Sequence, residues 1–547
     1  MDTALNFGIW SILPPLLTIA LALIFKDVIL ALATGILSGA LLIHHGNIFS
    51  SIGFFADKIA ESLADGWNIR IFLFCAALGG LVSLLNKTGS VRSFGQWAAG
   101  KLKSRRGTLL FTFVFGILIF IDDYFNSLAI GTAMRPVCDR FKISRAKLAY
   151  ILDSTAAPVC IIAPISSWVV IIMSYSREAK GFSELGISEL DLFIRLIPYN
   201  FYVFLTFFMI LALIFIGRDF GPMRRAEERA QNGEGLYDRD TFGENRVPEE
   251  SPVSQRARPM DMMIPFIILI ASAIASFPIT TWKIAAEKSG STLLESFHQI
   301  GIRQAFCDTD ASYALMYSIV FTMIFVIAYF LIRRLLKLRE ITDSLISGAQ
   351  SMVPVLIILT FAWTIGSIIK NSPADGGVGL ADYLANMVRS SHFPFWLLPL
   401  SVFGFSCIIA FSTGTSWGTM AIMISIVLPI AVAGGKELGL SHSELLNAVC
   451  FTLSATIGGA IFGDHTSPIS DTTILSATGA GCPCLEHVET QMPYAASVAG
   501  SAALGYLCGS FFNMNIYIGG ATALGTLILL LIFFIYLRPK AKRNKTH

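Results

Sequence analysis

Charge is what this sequence has least of. Only 14% of its 547 residues are Asp, Glu, Lys or Arg, against 54% apolar, and the mean hydropathy is +0.66. That balance excludes an ordinary soluble domain, in which about a quarter of residues are charged. Cysteine is sparse too, with 9 residues, mostly inside apolar runs. There they act as small hydrophobes, and no disulfide framework is expected. A secretory leader is not evident, because Met1–Trp10 has no basic run and the apolar stretch to Phe25 has no cleavage-like pattern. The net charge of +3 says little about partners. Basic residues gather at the borders of apolar runs and form no broad patch, so no nucleic-acid partner is expected.

What is present is a series of uncharged runs long enough to cross a bilayer. They fall at Ile9–Phe25, Val28–Ile43, Trp67–Leu85, Leu148–Ser174, Leu192–Ile216, Met262–Thr281, Ala311–Ile332, Leu345–Ile369, Leu445–Leu475, Tyr494–Phe512 and Ile516–Leu537. Gly107–Cys138 and Phe393–Val432 are also apolar, but each has a polar break at its middle. Each is expected to enter the membrane and return to the same side. The expected fold is an all-α polytopic membrane protein with about 11 transmembrane spans plus two re-entrant hairpins.

Charge placement sets the expected orientation. Lys101, Lys103, Arg105 and Arg106 precede the first hairpin, and Arg140, Lys142, Arg145 and Lys147 follow it. With Lys26, Arg218, Arg224, Arg225, Arg333, Arg334, Lys337 and the tail Arg538–Lys545 they define a cytoplasmic face under the positive-inside rule. The N-terminus then lies outside and the C-terminus in the cytoplasm. Arg218–Arg258, rich in Glu, Arg, Gly and Pro, reads as a flexible cytoplasmic linker whose basic ends rest on membrane lipid.

Two stretches of the chain repeat one another. Asp122-Asp-Tyr-Phe-Asn-Ser-Leu-Ala-Ile-Gly-Thr-Ala-Met-Arg-Pro136 aligns without gaps on Thr415-Ser-Trp-Gly-Thr-Met-Ala-Ile-Met-Ile-Ser-Ile-Val-Leu-Pro429. An aromatic, Tyr124 or Trp417, follows two polar residues in both copies. Further on, Ala163–Ser167 matches Ser467–Asp471, and Asp153–Thr155 falls opposite Ser454–Thr456. Since the two hairpins open from opposite sides, the expected arrangement is two inverted-topology repeats, as in secondary transporters. The expected segments are N-terminal spans 1–66, and a first repeat 67–216 with hairpin 107–138 and broken span 148–174. After the linker 217–260 and connecting spans 261–344 comes a second repeat 345–512, with hairpin 393–432 and broken span 445–475. A last span and basic tail occupy 513–547.

The densest chemistry lies in Gly463-Asp-His-Thr-Ser-Pro-Ile-Ser-Asp-Thr-Thr473, set in one of the most apolar regions. Ionisable groups in lipid usually mark an ion or proton path, and the proline and glycine are expected to interrupt the helix there. Four clusters should converge near the midplane. They are Asp122, Asp123 and Asn126 at the first tip, Asp153, Ser154 and Thr155 in the first broken span, Thr413, Thr415 and Ser416 at the second tip, and Asp464 through Thr473. Carboxylates, hydroxyls and freed carbonyls are the ligands a hard cation such as Na+ takes, and the carboxylates are exchangeable between proton and metal.

Plainer readings exist for most of these residues. Asp122 and Asp123 could solvate a turn, Asp123 being favoured for function because it lies nearest the aligned Ser416. Asp153 could cap a helix. Asp464 and Asp471 are harder to explain away, being seven residues apart on about the same helical face around Pro468. His465 is either a proton acceptor or a packed, hydrogen-bonded ring. Tyr124 and Trp417 read as packing residues or gates. Cys482-Pro-Cys484 is a weak hint of a metal clip.

Gly414-Thr-Ser-Trp-Gly418 fits the G-x-S-x-G pattern of hydrolases, with Asp464 and His465 following. That pattern requires a strand–turn–helix elbow, which nothing here offers, and the aligned copy carries Asp123 in place of the serine. The expectation is therefore not an enzyme.

Gly463-Asp-His-Thr-Ser-Pro-Ile-Ser-Asp-Thr-Thr-Ile-Leu-Ser476 resembles the signature of NhaC-type sodium/proton antiporters, within the wider ion transporter group of inverted-repeat carriers. Asp122–Tyr124 and Thr413–Gly418 are similar to that family as well, and the likeness covers most of Trp67–Phe512. The resemblance implies exchange of Na+ or Li+ for H+ across a bacterial inner membrane, with no cofactor beyond the transported ions. It points to Asp464, His465, Ser467, Ser470, Asp471 and Thr472, with Asp123 and Asn126 opposite. The family also contains members that move organic acids or amino acids with sodium. In that alternative, the helix N-termini after Asp122–Tyr124 and Gly414–Trp417 would receive a substrate carboxylate. The absence of Lys or Arg from the expected site favours cations alone. A homodimer is compatible with the architecture.

Overall fold

A computed structural model of the chain describes residues 7–25, 27–120, 122–163, 166–242, 256–307, 309–380, 383, 394–468 and 470–537. Among them the regular structure is helical, with no strand. Polar residues at the edges of the apolar runs decide where helices begin. Asp65 accepts from the N–H groups of Trp67 and Asn68, Ser104 from Gly107, Ser144 from Lys147 and Ser441 from Glu444. Each thereby satisfies an otherwise unpaired donor of a first turn.

The N-terminal helices are α1 (Leu13–Phe25), α2 (Val28–Ile43), α3 (Ile48–Ala64), α4 (Gly66–Thr88) and α5 (Ser90–Lys101). The first hairpin is α6 (Arg105–Leu118) and α7 (Asp123–Arg140), and the first broken span is α8 (Arg145–Cys160) and α9 (Ser167–Glu178). Then come α10 (Glu189–Leu196), α11 (Phe201–Ile216), α12 (Gly221–Asn232), α13 (Met260–Ser289), α14 (Ala311–Ile332), α15 (Leu338–Ser351) and α16 (Val353–Lys370). The second hairpin is α17 (Leu398–Thr413) and α18 (Ser416–Glu437), followed by α19 (His442–Thr466) and α20 (Asp471–Ala480). Last are α21 (Cys484–Phe511) and α22 (Ile516–Ile532). The order of two hairpin helices and two half-spans thus occurs twice. The two sets also clasp each other, since α20 packs on α7 and α8 while α9 packs on α18.

Eight described helices are long and apolar enough to cross a membrane, or nine if α15 and α16 count as one span. Two of the eight, α17 and α18, belong to the stretch expected as the second hairpin; of the expected spans, α1 and α2 are shorter apolar helices, and α8–α9 and α21 are not among the eight. Two expected spans are not straight. Leu345–Ile369 bends by 45° between α15 and α16, where Pro354 lacks the N–H that would continue the ladder. Leu192–Ile216 is divided by a tight turn at Ile197–Tyr199, where Pro198 interrupts and Asn200 caps the new helix α11.

The stretch expected to be a flexible linker contains a docked helix. Met223, Ala226 and Ala230 of α12 share a face and are buried against α8 and α21. Polar contacts hold it down. Glu227 pairs with Arg105 and accepts from the Ser144 N–H at 2.8 Å, Arg229 pairs with Glu486, and Lys147 pairs with Asp219 at 2.5 Å. Residues 243–255 of this stretch lie outside the described residues.

Candidate cation and proton site

Each polar tip is tied to its own broken span, with the chemical roles reversed between the two sets. In the first, the carboxylate is on the hairpin. Asp122 caps α7, its Oδ1 accepting from the Phe125 N–H at 3.0 Å, and its Oδ2 accepts from Ser167 Oγ at 3.3 Å. In the second, the carboxylate is on the broken span. Asp464 Oδ2 accepts from Ser416 Oγ at 2.6 Å and the Ser416 N–H at 3.0 Å, and Asp464 Oδ1 accepts from Ser470 Oγ at 2.6 Å. Gly414, at φ +68°, and Thr415, which caps α18 through Gly418 N at 3.4 Å, make the turn that presents Ser416.

The two tips meet. The rings of Tyr124 and Trp417 stack with centres 6.4 Å apart and planes 13° from parallel, and Trp168 meets Trp417 edge-on at 6.0 Å. One turn on, Ser476 Oγ donates to Ser127 Oγ at 3.1 Å, and Gly131 lies directly against Gly479. The two contacts follow one another in the same chain direction, so α7 and α20 run parallel and the start of α20 lies beside the start of α7.

Asp123 sits at that start. It is fully buried, neither carboxylate oxygen has a close hydrogen-bond partner among the described residues, the Trp168 side chain is a donor turned toward it, and Asp122 and Asp464 both lie within Coulombic range. Nearby buried oxygens are also unpaired: Asn126 Oδ1, Ser467 Oγ and Thr473 Oγ1. Thr472 shares a hydroxyl contact of 2.9 Å with Ser470. Asp464 occupies the last turn of α19, whose free carbonyls already make that end negative. Buried carboxylates in such a setting call for a proton or a cation. Beside Asp122 and Tyr124 is a cavity of about 290 Å³ between α4, α7 and α15, with Ser83, Asn86, Ser347 and Ser351 among its walls and no Lys or Arg among the described residues that line it.

Several expected residues make hydrogen bonds of their own within and between helices. Asp153 is not at a helix start. It lies inside α8, fully buried, and accepts at Oδ2 from His487 Nε2 (3.1 Å) and Gln491 Nε2 (2.9 Å). Thr155 Oγ1 donates back to the carbonyl of Ile151 at 2.8 Å, so it braces α8. His465 is hydrogen-bonded to Tyr202 Oη through Nε2 at 2.5 Å, and its carbonyl accepts from Gln491. Asp464 and Asp471 do not share a continuous helical face, because α19 ends at Thr466 and Asp471 opens α20. The Asp471 side chain lies outside the described residues. The Cys482 and Cys484 thiols are free, and no group of three His, Cys, Asp or Glu suited to a metal occurs among the described residues. The oxygen donors around Asp123 and Asp464 are therefore mixed carboxylates and hydroxyls.

Asn126 holds the first tip together. Its Nδ2 donates at 2.7 Å to the carbonyls of both Gly116 and Ile119 at the end of α6. Asn126→Asp keeps the shape but sets oxygen against two buried carbonyls, each worth about 1–3 kcal/mol when left unpaired. A markedly lower melting temperature in detergent is expected, and an unchanged one would remove Asn126 from this role.

Sequence reasoning passed over Tyr202, Trp168, His487 and Gln491. The last two are four apart on α21, one above the other, and lie just before the expected span Tyr494–Phe512.

Residues 159–510 match the model of the Na+/H+ antiporter family. The chain belongs to that family. It is thus a multi-pass membrane transporter of the antiporter class, in a family of carriers rather than enzymes. The matched residues include both half-spans of α19 and α20 but not the Asp122–Tyr124 tip. An uncharacterized protein of Haemophilus influenzae is 35% identical over 529 residues, 96% of this chain and 95% of that one. A second Haemophilus influenzae protein, described as an uncharacterized Na+/H+ antiporter, is 28% identical over 149 residues, 27% of this chain and 28% of its own. The malate-2H+/Na+-lactate antiporter of Bacillus subtilis is 26% identical over 154 residues, 28% of this family member and 29% of its own length. Among solved structures, the YdaH transporter of Alcanivorax borkumensis shares the fold, with a TM-score of 0.51 over 87% of this chain and 90% of that one at 11% identity.

Proposed function

We propose that this protein exchanges Na+ or Li+ for H+ across the bacterial inner membrane. The observation that carries the reading is Asp123: a fully buried carboxylate with no close hydrogen-bond partner among the described residues, in Coulombic range of Asp122 and Asp464. Such a cluster holds a proton or a metal cation, and competition between the two is antiport. In this reading Asp123 and Asp464 carry the cation with help from Ser467, and Asp471 is a further ligand. A proton on either carboxylate releases the cation, and rocking of the clasped hairpins turns the site to the other face. The two sets of elements act as inverted repeats, with the N-terminus outside and the C-terminus in the cytoplasm.

A second reading is sodium-coupled exchange of an organic acid. It is favoured by the cavity of about 290 Å³ beside Asp122, which exceeds what one ion occupies. Against it, the described residues of the wall include Asp122 and no cationic side chain, so an anion would meet repulsion. The test is a Na+ pulse outside proteoliposomes loaded with a pH-sensitive dye. Alkalinisation inside without any organic solute is expected. A silent protein that responds only when malate, lactate or an amino acid is added would overturn the first reading and establish the second.

A further inference from the structure

A second buried cluster borders the Asp123–Asp464 centre, with Asp153 in Coulombic range of Asp464. Asp153 and His487 are both fully buried and 3.1 Å apart, on helices α8 and α21. A carboxylate accepts, so His487 Nε2 is the donor to Asp153 and Nδ1 is the ring nitrogen that remains. That Nδ1 has no partner, and neither have Asp153 Oδ1 and Gln491 Oε1. Two unpaired polar atoms on a buried ionisable pair, with a third on the amide beside it, are more than a purely structural bridge would leave. The amide of Gln491 donates to both Asp153 Oδ2 and the carbonyl of His465, the residue after Asp464.

We infer that the Asp153–His487 pair is a proton-binding site separate from the carboxylates that take the cation. The inference rests on the proposed Na+/H+ exchange. The proton adds to His487 Nδ1, forming one N–H bond and turning the imidazole into an imidazolium. With it the pair is a neutral ion pair, and without it one negative charge stands unbalanced. The groups facing the pair are Tyr202 on α11, His465 and Asp464 on α19, and Cys484 on α21. On α8 and the helices packed against it, Lys147 pairs with Asp219, Arg105 of α6 with Glu227, and Arg229 of α12 with Glu486. Gln491 transmits the charge state, because tightening or slackening its bond to Asp153 pulls on the end of α19.

The test separates cation exchange from proton coupling. Wild type, Asp153→Asn, His487→Gln and Asp464→Asn are reconstituted, then assayed for ²²Na+ counterflow against internal Na+ at clamped pH and for Na+-driven proton movement. Asp153→Asn and His487→Gln should keep counterflow within about twofold while proton movement falls by about a hundredfold, the scale of losing one member of a buried charge pair. Asp464→Asn should lose both. Retained proton movement in the two variants would reduce the pair to a structural bridge. Loss of counterflow in them would likewise overturn the inference, assigning the pair to the cation site or to the fold. Retained counterflow itself reports a folded carrier. Absence of Na+-driven proton movement in the wild type fails the underlying exchange reading instead.

Discussion

Asp464→Asn should reduce Na+-driven proton movement by at least about a hundredfold, because it removes the charge from a buried carboxylate and keeps its volume. The serines around it grade the effect. Ser470→Ala takes away the hydrogen bond to Oδ1, whereas Ser416→Ala leaves Oδ2 the backbone N–H of position 416 at 3.0 Å. Hydrogen bonds to charged groups contribute about 1.5–3 kcal/mol, so both variants should transport with a raised half-saturation for Na+. Ser470→Ala should be the weaker carrier of the two. Transport traces over a series of Na+ concentrations give the ranking. Wild-type exchange by Asp464→Asn would remove this carboxylate from the site, and the opposite order for the serines would show that Ser416 presents its hydroxyl to the cation instead.

Much of this arrangement was legible because polar residues stand out in apolar runs. Asp122–Tyr124 and Thr415–Trp417 mark the two tips, and Pro468 with its neighbours marks the break after α19. Their alignment put Asp123 opposite Ser416, and the structure adds the reversal of roles, with Asp464 supplying the carboxylate in one set and Asp122 in the other. Contacts between distant segments were not legible. His487 and Gln491 sit where α21 leaves the break, and nothing local says that they face Asp153, 334 and 338 residues earlier. Likewise Tyr202 lies in an apolar helix whose sequence gives no hint of His465. The bend before Pro354 and the turn at Pro198 had local signals that the length of the apolar runs outweighed. The docking of α12 was obscured by its charge, although Met223, Ala226 and Ala230 share a face.

Gly463→Ala should cost both stability and transport, through one methyl group. A Cβ at Gly463 would lie 2.3 Å from the carbonyl oxygen of Cys407 and 2.7 Å from the Phe411 nitrogen and the Ala410 Cβ. Two of those three are backbone atoms of α17, which cannot swing aside as a side chain would. Either α17 moves away from α19 or the variant does not assemble. Overpacking of this kind costs about 1–3 kcal/mol, occasionally more. The functional loss follows from where α17 leads, since its end turns through Gly414 and Thr415 into Ser416. Displacing α17 therefore stretches the 2.6 Å contact from Ser416 to Asp464 and slackens the tip against the broken span. Gly404→Ala is the matched control on α17. A Cβ there meets nothing within 4 Å, and the change gains up to about 1 kcal/mol of helix propensity. Thermal melting in detergent, read beside Na+-driven proton movement, should show Gly463→Ala low in both and Gly404→Ala at or above wild type. Equal behaviour of the two variants would mean that the close approach of α17 and α19 does not hold Asp464 in place.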